Sequence, residues 1–252
     1  MSRSLVCTLG ILAPLFAAPA LAVSPWNGSI GIGATLAPDY LGSDDYKGRL
    51  TPDFNLRYGN LAYLNWRDGL GINALQTQDW TLSPFIGYHI GRKNRGDLSS
   101  FDRVDDGLTA GVKLTYRPDK WGYTLKAETP FTGDVDGYKV TLRADWRNQI
   151  APKWSVGVSP SLVYSSSAWT QDMFNVSAQD AARSGIQQYE AEQGYWRLGL
   201  AGSVTYQFAT DWSLTGIAGI TQLTGDAKDS SIVRQVGDAS QTLTGLVLSY
   251  QF

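Results

Sequence analysis

A single cysteine, Cys7, and a single histidine, His89, are all that the sequence offers for disulfide, thiol or zinc chemistry. Structural and catalytic zinc sites draw on several such ligands at close spacing, so that class is excluded. The acidic stretch Ser43-Asp44-Asp45 lacks the ligand spacing of a calcium loop, and no cofactor is implied. A surplus of either charge is missing as well: 21 basic against 23 acidic residues leave a net charge of −2, far from the basic balance that nucleic acid requires. After its first two dozen residues the chain holds no run near the ~20 apolar residues of a membrane helix. A membrane protein of this composition must therefore cross with strands closed into a barrel, and the alternative is a soluble β-sandwich.

The first residues carry Arg3, then an apolar stretch interrupted by small residues and Pro14, then Ala20-Leu21-Ala22. This is the pattern of a secretory signal peptide over residues 1–22, with the mature chain, residues 23–252, starting at Val23. Cys7 lies too early to be a lipidated first residue, so the mature chain is expected to hold no cysteine.

What the sequence has in abundance is alternation. Counting back from the end, Phe252, Tyr250, Leu248 and Leu246 share one face of a strand, and Gln251, Ser249, Val247 and Gly245 the other. Segments of this kind return along the chain at about ten residues each, which is the signature of a transmembrane antiparallel β-barrel. About twelve strands are expected, near 29–36, 49–58, 61–66, 70–76, 81–91, 107–117, 121–131, 138–147, 154–165, 195–208, 212–223 and 242–252. The third and fourth are short and ambiguous in facing. Pro160 removes a ladder donor, so a bulge or kink is expected there. An even number puts both termini on one side, the periplasmic one.

Several strands confine charge to a single face: Asp53 and Arg57, Lys113 and Arg117, Lys126 and Glu128, Arg143, Asp145 and Arg147, and Arg197. A charge at the bilayer midplane costs roughly 2–4 kcal/mol on the lipid face, so these ten side chains must point into a polar lumen or, in a soluble protein, into water. Every second connection is short, and Trp80, Trp121, Trp154 and Trp212 follow four of them at once. With Tyr58, Tyr116, Phe208 and Phe252 they form an aromatic girdle at one membrane interface, a repetition that a soluble sandwich does not call for. The closing strand, with Leu246, Leu248, Tyr250 and Phe252, reads as the assembly signal offered to the barrel-assembly machinery before the barrel enters outer-membrane lipid. The remaining connections, near 37–48, 92–106, 133–137, 166–194 and 224–240, are mostly longer and would face outward. In the longest, Ser177-Ala178-Gln179-Asp180 resembles a capping box and predicts a short helix over 178–183 that ends before Gly185, either as a lid over the mouth or as a grip for a partner.

His89 with a lumenal serine is a possible hydrolase site in principle, but no nucleophile motif stands near it, and a hydrogen-bonded structural histidine is the simpler reading. The ten inward charges admit two readings, a paired ladder that packs the lumen or an anion-favouring pore.

Three loops also resemble one family. Pro38-Asp39-Tyr40-Leu41-Gly42-Ser43, then Val176-Ser177 through Ser184-Gly185 with Tyr189 and Gly194, then Leu223-x-Gly225-Asp226-Ala227-x-Asp229-Ser230 with Val233, are similar to the MipA/OmpV outer-membrane proteins. The chain departs from that pattern at Met173-Phe174-Asn175 and at Ser230-Ser231. The resemblance implies a non-enzymatic outer-membrane barrel and no catalytic residues. Within the family one member is described as a scaffold linking a murein-cleaving to a murein-synthesising enzyme and others as osmolarity-responsive proteins or channels, so the resemblance implies a scaffold, with a narrow channel for small solutes as the alternative.

Overall fold

The computed structural model describes residues 25–252, so the expected signal peptide and its cleavage before Val23 lie outside the described residues. Thirteen strand segments form one antiparallel sheet: β1 (Trp26–Pro38), β2 (Tyr46–Tyr58), β3 (Ala62–Asn65), β4 (Gly69–Ile72), β5 (Leu75–Gln76), β6 (Trp80–His89), β7 (Gly107–Tyr116), β8 (Trp121–Pro130), β9 (Lys139–Ala151), β10 (Trp154–Ser165), β11 (Tyr195–Gln207), β12 (Trp212–Leu223) and β13 (Ser240–Gln251). Segments β4 and β5 both pair with β6 and make one stave interrupted at Asn73-Ala74, so the barrel has twelve staves. Pro84 stands in β6 opposite that interruption, where no ladder donor is needed. The ring closes where β1 meets β13, from Ser29 opposite Gln251 to Leu36 opposite Thr244. Phe252 adds a reciprocal backbone pair with Gly28, at 3.0 and 3.1 Å, below the last rung.

Alternation sets what each stave shows. Leu142, Leu198, Leu200, Ile32 and Leu246 are among the exposed apolar side chains of the outer wall. The aromatic girdle forms at the end that carries both termini and the short turns. There Trp26 meets Tyr58, Trp80 stacks on Tyr116 at 4.4 Å, Trp121 on Tyr123, Trp154 on Tyr206 at 4.6 Å, and Trp212 meets Tyr250. A second cluster, Tyr138, Tyr164 and Trp196, lies at the opposite end.

Two local expectations are corrected. The ladder from β10 to β9 leaves Ser159 and Pro160 without rungs but keeps its register, and the register shift falls at Trp154/Ser155 instead. Beside Pro160, Ser159 donates its hydroxyl to Asp145 Oδ1 at 2.7 Å. The loop end also carries more helix than its sequence suggests: α1 (Ser167–Phe174), α2 (Ala178–Ser184), α3 (Gly225–Asp229) and α4 (Ser231–Val236).

Because the last residues close the ring, deleting Phe252 removes two backbone bonds and an aromatic anchor at the seam. Loss of the heat-sensitive, compactly migrating band on detergent gels, relative to the intact chain, is the expected outcome. An undiminished band would remove the closing role from Phe252.

Candidate functional site: a capped, cation-rich lumen

The lumen is a single cavity of about 2620 Å³, and all ten charged residues singled out in the sequence line it. So do Arg49, Arg67, Asp68 and Lys139. Asp68 could not be placed from alternation because it sits in the tight turn between β3 and β4. There Asn65 Oδ1 accepts from the amides of Arg67 and Asp68 at 3.0 and 2.7 Å and turns the aspartate inward. Fourteen Lys and Arg side chains against eight Asp and Glu line the cavity, although acids outnumber bases in the whole chain.

One wall is ion-paired. Asp68 takes Lys113 at 2.8 Å and lies 3.9 Å from Lys126. Glu128, nearly inaccessible, holds Lys126 at 3.3 Å and Lys139 at 3.1 Å and accepts a hydrogen bond from Thr109 Oγ1. Lys113 also lies over the Tyr63 ring at 3.7 Å. On the next stave Arg143 pairs with Asp145 at 2.8 Å. By contrast Arg57, Arg67, Arg117, Arg147 and Arg197 have no ion-pair partner among the described residues. The lumen therefore combines a packed ladder along β7 to β9 with free guanidinium groups facing open space.

The loop end is covered by a lid with its own hydrophobic core. Val104, Val135, Trp169, Met173, Phe174, Tyr195, Leu223, Ala227 and Val233 pack into one cluster, and Leu98, Phe101, Val176, Ile186 and Ile232 into another. The motif residues of the three loops hold this lid together. Tyr40 donates its hydroxyl to the Val236 carbonyl, Tyr189 donates to the Asp226 carbonyl, and Ser230 Oγ donates to the Phe174 carbonyl at 2.6 Å. Asp226 Oδ2 accepts from the amides of Glu192 and Gln193. Arg92, buried, reaches the Met173 carbonyl at 2.7 Å, and burial lowers its pKa although nearby carboxylates oppose that effect. The N-cap is present: Ser177 Oγ accepts from the Asp180 amide at 3.0 Å, and Gly185, with φ of 77°, closes α2 in the left-handed conformation.

His89 is buried beneath the lid, its ring edge-on to Trp169 at 5.6 Å and its Nε2–H donating to the Thr132 carbonyl at 3.2 Å. Among the described residues no group of three or more His, Cys, Asp and Glu side chains could hold a metal ion.

A closed twelve-stave antiparallel barrel with an apolar outer band, aromatic belts and a charged lumen defines the class, a transmembrane β-barrel of the outer-membrane type. The profile of the family described as MltA-interacting protein MipA matches residues 30–252, and the chain belongs to that family. No curated protein matches the chain. Among solved structures, the NanC porin has 11% identity and a TM-score of 0.47, covering 88% of this chain and all of its own. The outer membrane channel DcaP of Acinetobacter baumannii has 10% identity and a TM-score of 0.44, covering 90% of this chain and 96% of its own. Pseudomonas aeruginosa OprD has 12% identity and a TM-score of 0.40 over 81% of this chain, which spans only 56% of OprD.

One consequence concerns pH. Burial alone would raise the Asp180 pKa, but hydrogen bonds from Ser177 Oγ at 2.7 Å and Arg183 at 2.6 Å, with the Asp102 amide, hold it below the usual aspartate value. A depressed carboxylate contributes its stabilisation in full above the unfolded value of about 3.9, and that contribution is lost as pH falls through the folded value. Amide exchange in α2 should accelerate over that acid window in the native chain. In Asp180→Asn it should already be faster at neutral pH, with the acid-dependent step gone. An unchanged profile would remove Asp180 from the lid's support.

Proposed function

We propose that this protein is a non-enzymatic outer-membrane barrel whose lumen takes up small anionic solutes from the end that carries the termini, with the lid acting as the gate at the other end. With the termini on the periplasmic side, uptake is from the periplasm and the lid faces outward. The observation that carries this reading is the surplus of cations in one open cavity, including five arginines without ion-pair partners among the described residues. Rings of Arg and Lys in a water-filled pore favour anions and repel cations. The lid core argues that passage through the loop end requires the lid to move.

The family description favours a second reading, contact with a murein enzyme. At the terminus-bearing end the connections are only a few residues long, so such a partner would grip strand ends and aromatic turns around Lys120 and Lys153. The two roles are compatible, since one uses the lumen and the other its rim.

In planar bilayers the intact chain should conduct weakly. A variant in which residues 167–193 are replaced by a short Gly-Ser linker should show discrete, anion-preferring conductance. Adding Arg57→Gln, Arg117→Gln and Arg147→Gln to that variant should reduce the preference. Cation preference, or selectivity indifferent to the three arginines, would defeat the anion reading. Capture of murein enzymes that is lost on altering the turns around Lys120 and Lys153 would establish the second role.

A further inference from the structure

Among the described residues the barrel wall has one long break. β2 runs for 13 residues and pairs along its whole length with β1, from Trp26 opposite Tyr58 to Pro38 opposite Tyr46. On its other edge β3 pairs only with Asn55 to Tyr58, and one further bond runs from the Trp66 amide to the Phe54 carbonyl. Above Phe54 no strand reaches this edge. Across the gap, β6 is paired with the short hairpin only as far as Ile86, where Gly69, with φ of 81°, lies against the Ile86 carbonyl. The loop after β6 approaches the first loop at the top, with Gly96 near Asp45. The result is a framed window rather than an open slot.

The sequence is built for an edge at this place. Even-numbered residues of β2 direct their backbone groups toward β3, as the Phe54 carbonyl does, so Gly48, Leu50 and Pro52 direct theirs into the window. Pro52 has no amide to leave unpaired, which is where proline is tolerated in a sheet. A Cβ on Gly48 would meet nothing within 4 Å. Leu50 is 74% exposed, against 48% for Leu142 and Leu198 on fully paired staves. The window lies between the aromatic belts, on the loop-end side of the Phe54–Trp66–Tyr88 cluster that roofs the short hairpin. It therefore faces the hydrocarbon of one leaflet.

The geometry points to a lateral doorway, in which the acyl chain of an anionic amphiphile from the membrane passes between β2 and β6 while its head group lies in the basic lumen. Backbone N–H and C=O groups left bare in hydrocarbon cost several kcal/mol each, and here they can be satisfied by lumenal water or a polar head. The apolar rim, Leu50, Pro52, Trp66, Tyr88 and Ile90, suits a chain. The cavity behind it suits an anion, because its cations outnumber its acids. The packed lid leaves the side of the barrel as the less obstructed way out at that end. The head-group part of this inference rests on the anion-favouring lumen proposed above; the doorway itself does not.

The test places a fluorescent bimane on a cysteine inside the lumen, in the chain carrying Cys7→Ser. One variant is Thr51→Cys beside the window, the other Ser203→Cys on the far wall, and both are checked for heat-modifiable folding. The chain is held in phosphatidylcholine vesicles containing stearate with a mid-chain nitroxide. A loss of fluorescence is expected at position 51 and not at 203, and the matching long-chain trimethylammonium probe should give no such loss. Equal loss with both probes would keep the doorway but overturn the anionic occupant, and with it the lumen reading. No loss at position 51 with either probe would overturn the doorway. So would disulfide-linked dimers of Leu50→Cys with no quenching, which would assign the edge to a second copy of the chain.

Discussion

Hydrocarbon offers no hydrogen-bond partner to a peptide group, and that constraint governs the rest of this molecule. Backbone donors and acceptors in the apolar band need a neighbouring stave or access to water, so the sheet has to close on itself nearly everywhere. Closure with alternating residues then forces the remainder: apolar side chains outward, aromatic belts at the interfaces, and every charge of the wall inward. A lumen assembled in this way collects cations even though the chain as a whole is slightly acidic. The strands carry nine Lys and Arg residues against three acids, Asp53, Glu128 and Asp145, while many acids, such as Asp44, Asp97, Asp102, Asp229 and Asp238, lie in the loops. Separation of charge between wall and loops produces the basic interior.

Much of this was legible from alternation alone. The stave at 107–117 could be read residue by residue, and Lys113 and Arg117 line the cavity as their parity requires. The terminal strand was equally clear, since its face ends on Phe252 and its partner pattern in β1 is complementary. Legibility fell where parity stopped. Arg67 and Asp68 sit in a three-residue turn whose direction is set by Asn65 Oδ1, an interaction between neighbours that no period reports. The same turn shortens β3 and β4, and so creates the gap beside β2. The sequence showed those strands as short and ambiguous without showing what their shortness does to the wall. The lid helices were partly hidden for a different reason. α2 carries a local cap at Ser177, whereas α3 and α4 are very short and owe their place to contacts from distant loops, such as Ser230 with the Phe174 carbonyl.

The residues that mark the family have a structural meaning in this light. Tyr40, Gly42 and Ser43, Val176 and Tyr189, and Asp226 and Ser230 all belong to the lid, and they touch one another across three loops. The departures at Met173 and Phe174 fall inside the same core, where both side chains are buried. The motif therefore describes how the loop end is covered.

One break interrupts an otherwise closed ring of backbone bonds among the described residues, and amide exchange along β2 in lipid nanodiscs tests it most directly. The amide of Leu56, bonded within the ring, should exchange slowly, while those of Leu50 and Gly48 should exchange rapidly with water supplied through the lumen. Uniform protection from Gly48 to Leu56 would mean that the wall is sealed, and it would contradict the account.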